Sequence, residues 1–203
     1  MESNVKIRID DFPIWGKYCE RVTYDQTTKI LSYFEDRNIE YYLGVVGDYT
    51  TDEDIDFIIN KLPNAVPLLH GFTHNVDRWD LPKKTIGWRN EFDGRTPEYL
   101  KTKMRDFCYR FSCFDIGGII FPFNSFNQCI LDILDEFNFS FVCTGPETKT
   151  FTYHTNLNYH TLKKYHSEGI YYSFHESIKD TIHRINTMPE NYLMCYHLTE
   201  IKC

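Results

Sequence analysis

The chain contains no run of about 18 apolar residues, so no segment of it reads as a membrane-crossing helix. It has no internal repeat, no low-complexity tract and no Gly/Ser linker. Its 7 cysteines are odd in number, form no Cys-x-x-Cys, and sit partly in apolar runs such as Phe141-Val142-Cys143. This predicts reduced, mostly buried thiols rather than a disulfide framework or a thiolate zinc site. A basic and apolar leader is missing from Met1–Asp10, which together with the reduced thiols predicts a cytoplasmic protein. Positive charge is scarce: 22 Lys and Arg face 29 Asp and Glu, a net charge of −7. A general phosphate-backbone binder needs a basic face, so no nucleic-acid partner is expected. Aromatic residues, by contrast, are plentiful, with 16 Phe, 15 Tyr and 3 Trp in a chain that is 42% hydrophobic. That composition excludes an intrinsically disordered chain and a coiled coil. At 203 residues, a single domain spanning 1–203 is expected.

Local patterns alternate between strand and helix. Val5–Asp10 is β-rich and ends in the pair Asp10-Asp11, and Tyr24–Asn38 carries Ile30, Leu31 and Phe34 at helical spacing. Tyr41–Gly47 reads as a buried strand, and Thr51 caps a helix running to about Leu62. Ala65–Leu69 is a short strand that enters His70-Gly71, and Thr96-Pro97 starts a helix that runs to about Phe114. Gly117–Phe123 reads as a strand, with Asn124 or Ser125 capping a helix through about Asn138. Phe139–Thr144, Tyr171–Phe174 and Tyr192–Leu198 complete the strands, with a helix over Ser177–Met188; Phe72–Arg95 lacks clean periodicity, and 148–168 is polar, rich in Tyr, Asn and His, and is assigned to no element. Several strands are apolar almost without alternation, the mark of βα units around a parallel sheet. Such units build an open doubly wound sheet or a (β/α) barrel, and both place chemistry at the carboxyl ends of strands.

Four strand ends carry polar or unusual residues: Asp10-Asp11, His70 through His74, Pro122-Phe123-Asn124, and His197. Adjacent acids on a regular strand point in alternating directions, one inward and one sideways. A buried carboxylate needs a cation or a metal, and Arg8 precedes the acidic pair. Two histidines and one carboxylate make a three-ligand set with open positions. That set suits catalytic zinc, and equally non-haem Fe(II) oxygenases. His197 suits a general acid because imidazole titrates near neutrality.

Ile9-Asp10-Asp11, His70-Gly-Phe-Thr-His74, Phe121-Pro122-Phe123-Asn124 and the terminal His197, in that order, resemble the polysaccharide deacetylase (NodB-homology) superfamily across nearly the whole chain. Glu91-Phe92-x-Gly94 further resembles a loop of a divergent, short branch. The resemblance implies a distorted (β/α)7-type barrel of mostly parallel strands and a metal-dependent hydrolase that removes N- or O-acetyl groups from sugars. It implies Asp11, His70 and His74 as ligands of a divalent metal ion, zinc foremost, with Asp10 as general base and His197 as general acid. Phe123, Asn124, Trp79, Trp88, Glu91 and Arg8 are then expected around the substrate and its oxyanion, with the strand end near Phe123 offering a backbone N–H. One departure stands out: the position matching the family's base-tethering arginine is Ile120, leaving Arg8 or Arg89 as substitutes. That departure motivates an alternative, a non-catalytic carbohydrate- or ligand-binding protein on the same fold. Without a leader, the expected substrate is a soluble, nucleotide-linked or lipid-linked acetylated sugar.

Overall fold

The structure, a computed structural model, describes residues 7–13, 24–74, 91–122, 126–143, 158–159, 171–172, 178–187 and 194–197. In chain order the elements are β1 (Ile7–Phe12), α1 (Tyr24–Glu35), β2 (Tyr41–Val45), α2 (Asp52–Lys61), β3 (Ala65–Leu69), α3 (Pro97–Arg110), β4 (Gly118–Ile120), α4 (Gln128–Glu136), β5 (Phe141–Cys143), β6 (Asn158–Tyr159), β7 (Tyr171–Tyr172), α5 (Ile178–Thr187) and β8 (Met194–His197).

The helices begin where capping chemistry tells them to. Thr51 and Asp54 form a reciprocal capping box at α2, and Thr96 caps α3 with Pro97 in its first turn. The cap of α4 differs from expectation. Asn127 holds it, accepting the Ile130 N–H at 3.1 Å, while Asn124 and Ser125 lie outside the described residues. Two further boundaries move inward: α3 stops at Arg110 rather than near Phe114, and β4 stops at Ile120 rather than Phe123. β6 falls inside the polar stretch 148–168, which local patterns assign to no element, and a two-residue strand is too short to show a period.

The strands form one sheet in the order β6-β5-β4-β3-β2-β1-β8-β7, and every adjacent pair is parallel. Parallel strands require crossovers, which the helices supply, and burial on both faces explains near-continuous apolar strands such as Tyr41–Val45. One face carries Ile7, Ile9, Leu43, Val45, Leu69, Ile119 and Val142 into a core shared with Leu31, Ile58, Met104, Phe107, Leu131 and Leu134 of the helices. The opposite face holds a separate, smaller cluster of Tyr42, Leu68, Ile120 and Cys143, flanked by Val66 and Phe141. Among the described residues no helix contributes to that second cluster, yet its members are buried.

Register matters most at β1, the strand between β2 and β8. Ile9 pairs with Leu43, but Phe12 pairs with Val45, so β1 carries one extra residue in a bulge spanning Asp10 and Asp11. Asp11 there adopts a φ of 71°, the left-handed region that Asp tolerates better than most residues.

Leu134, fully buried on α4, reports on the helix-facing core. Leu134→Ala is expected to destabilise the protein by about 2–5 kcal/mol, against less than about 0.5 kcal/mol for Tyr109→Ala, whose side chain is 83% exposed. Equilibrium urea unfolding of both variants checks this.

Candidate metal centre

Arg8 and Asp10 are two residues apart on one strand, so both project from the same face of β1. The Arg8 Nε donates to Asp10 Oδ1 at 2.8 Å and to Oδ2 at 3.1 Å, and Nη2 donates to Oδ2 at 2.7 Å. Both side chains are almost wholly buried, so the ion pair is unscreened by solvent. Burial, the largest influence, opposes the charge on Arg8, but the Asp10 carboxylate, with smaller help from Cys195 and Cys143, holds the guanidinium pKa well above its ordinary value. The remaining Arg8 nitrogen, Nη1, is buried without a hydrogen-bond partner among the described residues. From β8, the Cys195 Sγ donates to Asp10 Oδ2 at 3.4 Å. Burial above all, aided by Asp10 and resisted by Arg8, pushes this thiol pKa far up, so Cys195 remains a donor.

His70 leaves the carboxyl end of β3. Its Nδ1 lies 3.0 Å from the Ile120 carbonyl oxygen. A carbonyl only accepts, so Nδ1 carries a hydrogen, and Nε2 is the nitrogen turned toward the acids of β1. The backbone N–H of His70 donates to Val45 O at 2.7 Å. Gly44 makes room for the ring: a Cβ at position 44 would stand 3.1 Å from the His70 Cβ.

The bulge turns Asp11 toward this histidine. Asp11 Oδ1 lies 3.2 Å from His70 Nε2 and 3.1 Å from His74 Nε2, and the two imidazole centroids are 4.9 Å apart. Asp10 Oδ2 is also near, at 4.0 Å from His70 Nε2. Adjacent acids that should diverge therefore face one ring together, because a bulge breaks the strand alternation. His74 is held at a φ of 50°. Burial lowers its pKa, but the hydrogen bond and charge of Asp11, with smaller help from Glu91 and Asp10, raise it on balance.

Between the two histidines, the N–H of Phe72 donates to Glu91 Oε1 at 2.5 Å and that of Thr73 to Glu91 Oε2 at 3.2 Å. Burial pushes the Glu91 pKa up, against the pull of these N–H groups and of His74. Gly71, at a φ of 73°, is required twice over: a Cβ there would meet Glu91 Oε1 at 2.5 Å and the Pro122 Cγ at 2.6 Å.

The ligand atoms of Asp11, His70 and His74 lie within 4.8 Å of one another. A metal fits this set on chemical grounds. His70 Nε2 and Asp11 Oδ1 are both lone-pair donors when the ring is neutral, and only a cation or a proton between them relieves their repulsion. One carboxylate and two imidazoles also form a protein donor set suited to zinc.

Asp10, Asp11, His70 and His74 are thus brought together. Two residues expected around the substrate are engaged by protein groups beside the cluster. Arg8 is spent on Asp10, because a buried carboxylate on its own strand face claims it. Glu91 is spent on backbone N–H groups, because Phe92 beside it is anchored edge-on against Phe72 and Phe121. The His197 backbone closes β8 in register with Asp10. Trp79, Trp88, Phe123, Asn124 and Arg89 lie outside the described residues. The sequence reading passed over Cys195 and Gly44. The position of Cys195 two residues before His197 on one strand was the available signal for the first; nothing local marks the second.

No family model and no curated protein matches the chain. Among solved structures, it is similar to the 4-alpha-glucanotransferase of Thermococcus litoralis, with a TM-score of 0.42 and 11% identity over 97% of this chain. The chain spans about a third of that protein, 32% of its length. The class defined by fold and site together is a parallel α/β chain with an Asp-His-His cluster at its strand ends.

Two outcomes are expected. Arg8→Met strands a buried carboxylate and should cost about 3–5 kcal/mol at neutral pH. The deficit should narrow as pH falls toward about 4, where protonation removes the stranded charge. Urea unfolding at the two pH values measures it, and equal stability of variant and wild type at neutral pH contradicts it. Second, a proton on His74 competes with metal, and its raised pKa extends that competition above the ordinary range near 6.5. Zn²⁺ affinity should therefore climb with pH, by up to about tenfold per unit for one displaced proton, and level off above the His74 pKa. Calorimetry in two buffers of different ionisation enthalpy counts the released protons.

Proposed function

We propose that this chain is a metal-dependent hydrolase that removes an acetyl group from an N-acetylated, or O-acetylated, sugar or sugar conjugate. The observation that carries the reading is the single Asp11 oxygen placed 3.2 and 3.1 Å from two imidazole nitrogens, beside an Asp10 carboxylate already held by Arg8. Asp11, His70 and His74 hold the divalent ion, zinc foremost. When bound, the ion supplies Lewis acidity toward water and toward an acyl carbonyl.

The protein's own groups carry the protons. Asp10 takes one from the attacking water, and the fixed charge of Arg8 favours its carboxylate form. His197, ending β8 in register with Asp10, gives a proton to the departing amine. Arg8 fills the role of the base-tethering arginine missing at Ile120. The sheet belongs to a distorted (β/α)7-type barrel. Support comes from a strand order that reads as a ring opened between β6 and β7, and from an inner face buried without helices. The thiols of Cys108, Cys113, Cys129 and Cys195, none of them in a disulfide, support a cytoplasmic setting, where a nucleotide-linked, lipid-linked or soluble sugar would be the partner. No helix among the described residues is long and apolar enough to cross a membrane.

A second reading, a non-catalytic carbohydrate- or ligand-binding protein that keeps the fold, draws on the engagement of both Asp10 oxygens by Arg8 and Cys195. Elemental analysis followed by an acetate-release assay on N-acetylated sugars separates the two. Wild type should hold about one equivalent of metal, with Asp11→Ala holding almost none. Asp10→Asn should keep the metal and lose about 100-fold or more in turnover. Ligand binding without turnover in either form supports the binder, and wild type that takes up no Zn²⁺, Co²⁺ or Ni²⁺ overturns the hydrolase.

A further inference from the structure

We propose that Glu91 is a positioning residue of the metal centre: its carboxylate closes the turn between His70 and His74 and so sets where the His74 imidazole stands. The proposal rests on Asp11, His70 and His74 being the ligand set, and it assigns Glu91 to the backbone of that set rather than to the substrate.

The two histidines are held by different means. His70 is anchored within the sheet, through its backbone to Val45 O at 2.7 Å and through Nδ1 to Ile120 O at 3.0 Å. His74 lies beyond the last residue of β3, and the path of Gly71, Phe72 and Thr73 decides how far it reaches. That path is gripped from two sides. Its carbonyls at Gly71 and Phe72 accept from Gly47 at 3.0 Å and Asp48 at 2.7 Å. The Gly47–Asp48 turn is itself fastened to α3, by Arg110 Nη1 on Gly47 O at 2.9 Å and by Lys103 on Asp48 at 2.6 Å. Its N–H groups at Phe72 and Thr73 converge on the two oxygens of Glu91. One carboxylate thus binds two successive N–H groups and fixes the turn that ends at His74.

Glu91 can do this because Phe92 is locked between Phe72 and Phe121, with ring centroids 6.3 and 5.8 Å away and near-perpendicular planes. Gly71 belongs to the same unit, since its missing Cβ is the space that the Glu91 carboxylate occupies. A side chain 19 residues downstream of Phe72 therefore accounts for the glycine after His70.

Co²⁺ and Zn²⁺ titrations of wild type, E91Q and E91A test the proposal. E91A removes the carboxylate that accepts from both N–H groups. E91Q is nearly isosteric, keeps the fold under less strain and replaces one acceptor oxygen with a donor. Both should bind metal about 10–100-fold more weakly, with an altered Co²⁺ visible spectrum. A general loss of stability would not be specific to His74, so a double-mutant cycle is decisive. In a His74→Ala background, E91Q should weaken metal binding by less than about twofold. Folded E91Q and E91A with wild-type affinity and spectrum overturn the proposal, as does an E91Q effect that persists in full without His74. Wild type that binds neither metal removes the ligand-set reading itself, and the role of Glu91 falls with it.

Discussion

A buried guanidinium holding a buried carboxylate organises the carboxyl edge of this sheet. Neither Arg8 nor Asp10 could be buried alone, since an uncompensated charge in such surroundings costs several kcal/mol. Their placement two residues apart on the inner face of β1 lets them satisfy each other within one strand, and β8 adds the Cys195 thiol to the same carboxylate. With Asp10 committed, the next acid could join it only if the strand broke its alternation. The bulge opposite Leu43–Val45 makes that break, and the left-handed backbone of Asp11 completes it.

The donor set follows from this arrangement. Asp11 supplies one oxygen to two imidazoles, and each imidazole is delivered by different physics. His70 is a sheet residue in practice, with its ring clamped between a carbonyl of β4 and the bare backbone of Gly44. His74 is a loop residue whose position is transmitted through hydrogen bonds from a turn after β2, from α3 and from Glu91. A rigid ligand beside a positioned one leaves the cluster accessible on one side, since His74 is the most exposed of the three.

Much of this was legible from the residues. The strand-end acids and the His-x-x-x-His spacing singled out Asp10, Asp11, His70 and His74, and Thr51 and Thr96 announced their helices. The roles of Arg8 and Glu91 were not legible in the same way. Arg8 was one of two substitutes for a missing arginine, and only its distance to Asp10 separates it from a substrate contact. Glu91 belonged to a recognisable short motif, but nothing in that motif says that its carboxylate faces backbone N–H groups 18 and 19 residues upstream. The cap of α4 falls at Asn127 rather than at the expected Asn124 or Ser125, because three residues within four positions are each competent caps and local chemistry does not choose among them.

By itself the sequence determined the alternation of strands and helices, most helix starts, and which side chains carry donor atoms. Those properties are local: periodicity, capping and ligand chemistry depend on a residue and its near neighbours. Only the tertiary structure decided that Asp11 turns to the same side as Asp10, that Arg8 serves Asp10, and that Glu91 closes the turn before His74. Each of those outcomes needs a partner from another strand or loop, and a bulge, a buried charge pair and a backbone clamp exist only once those partners have been packed together.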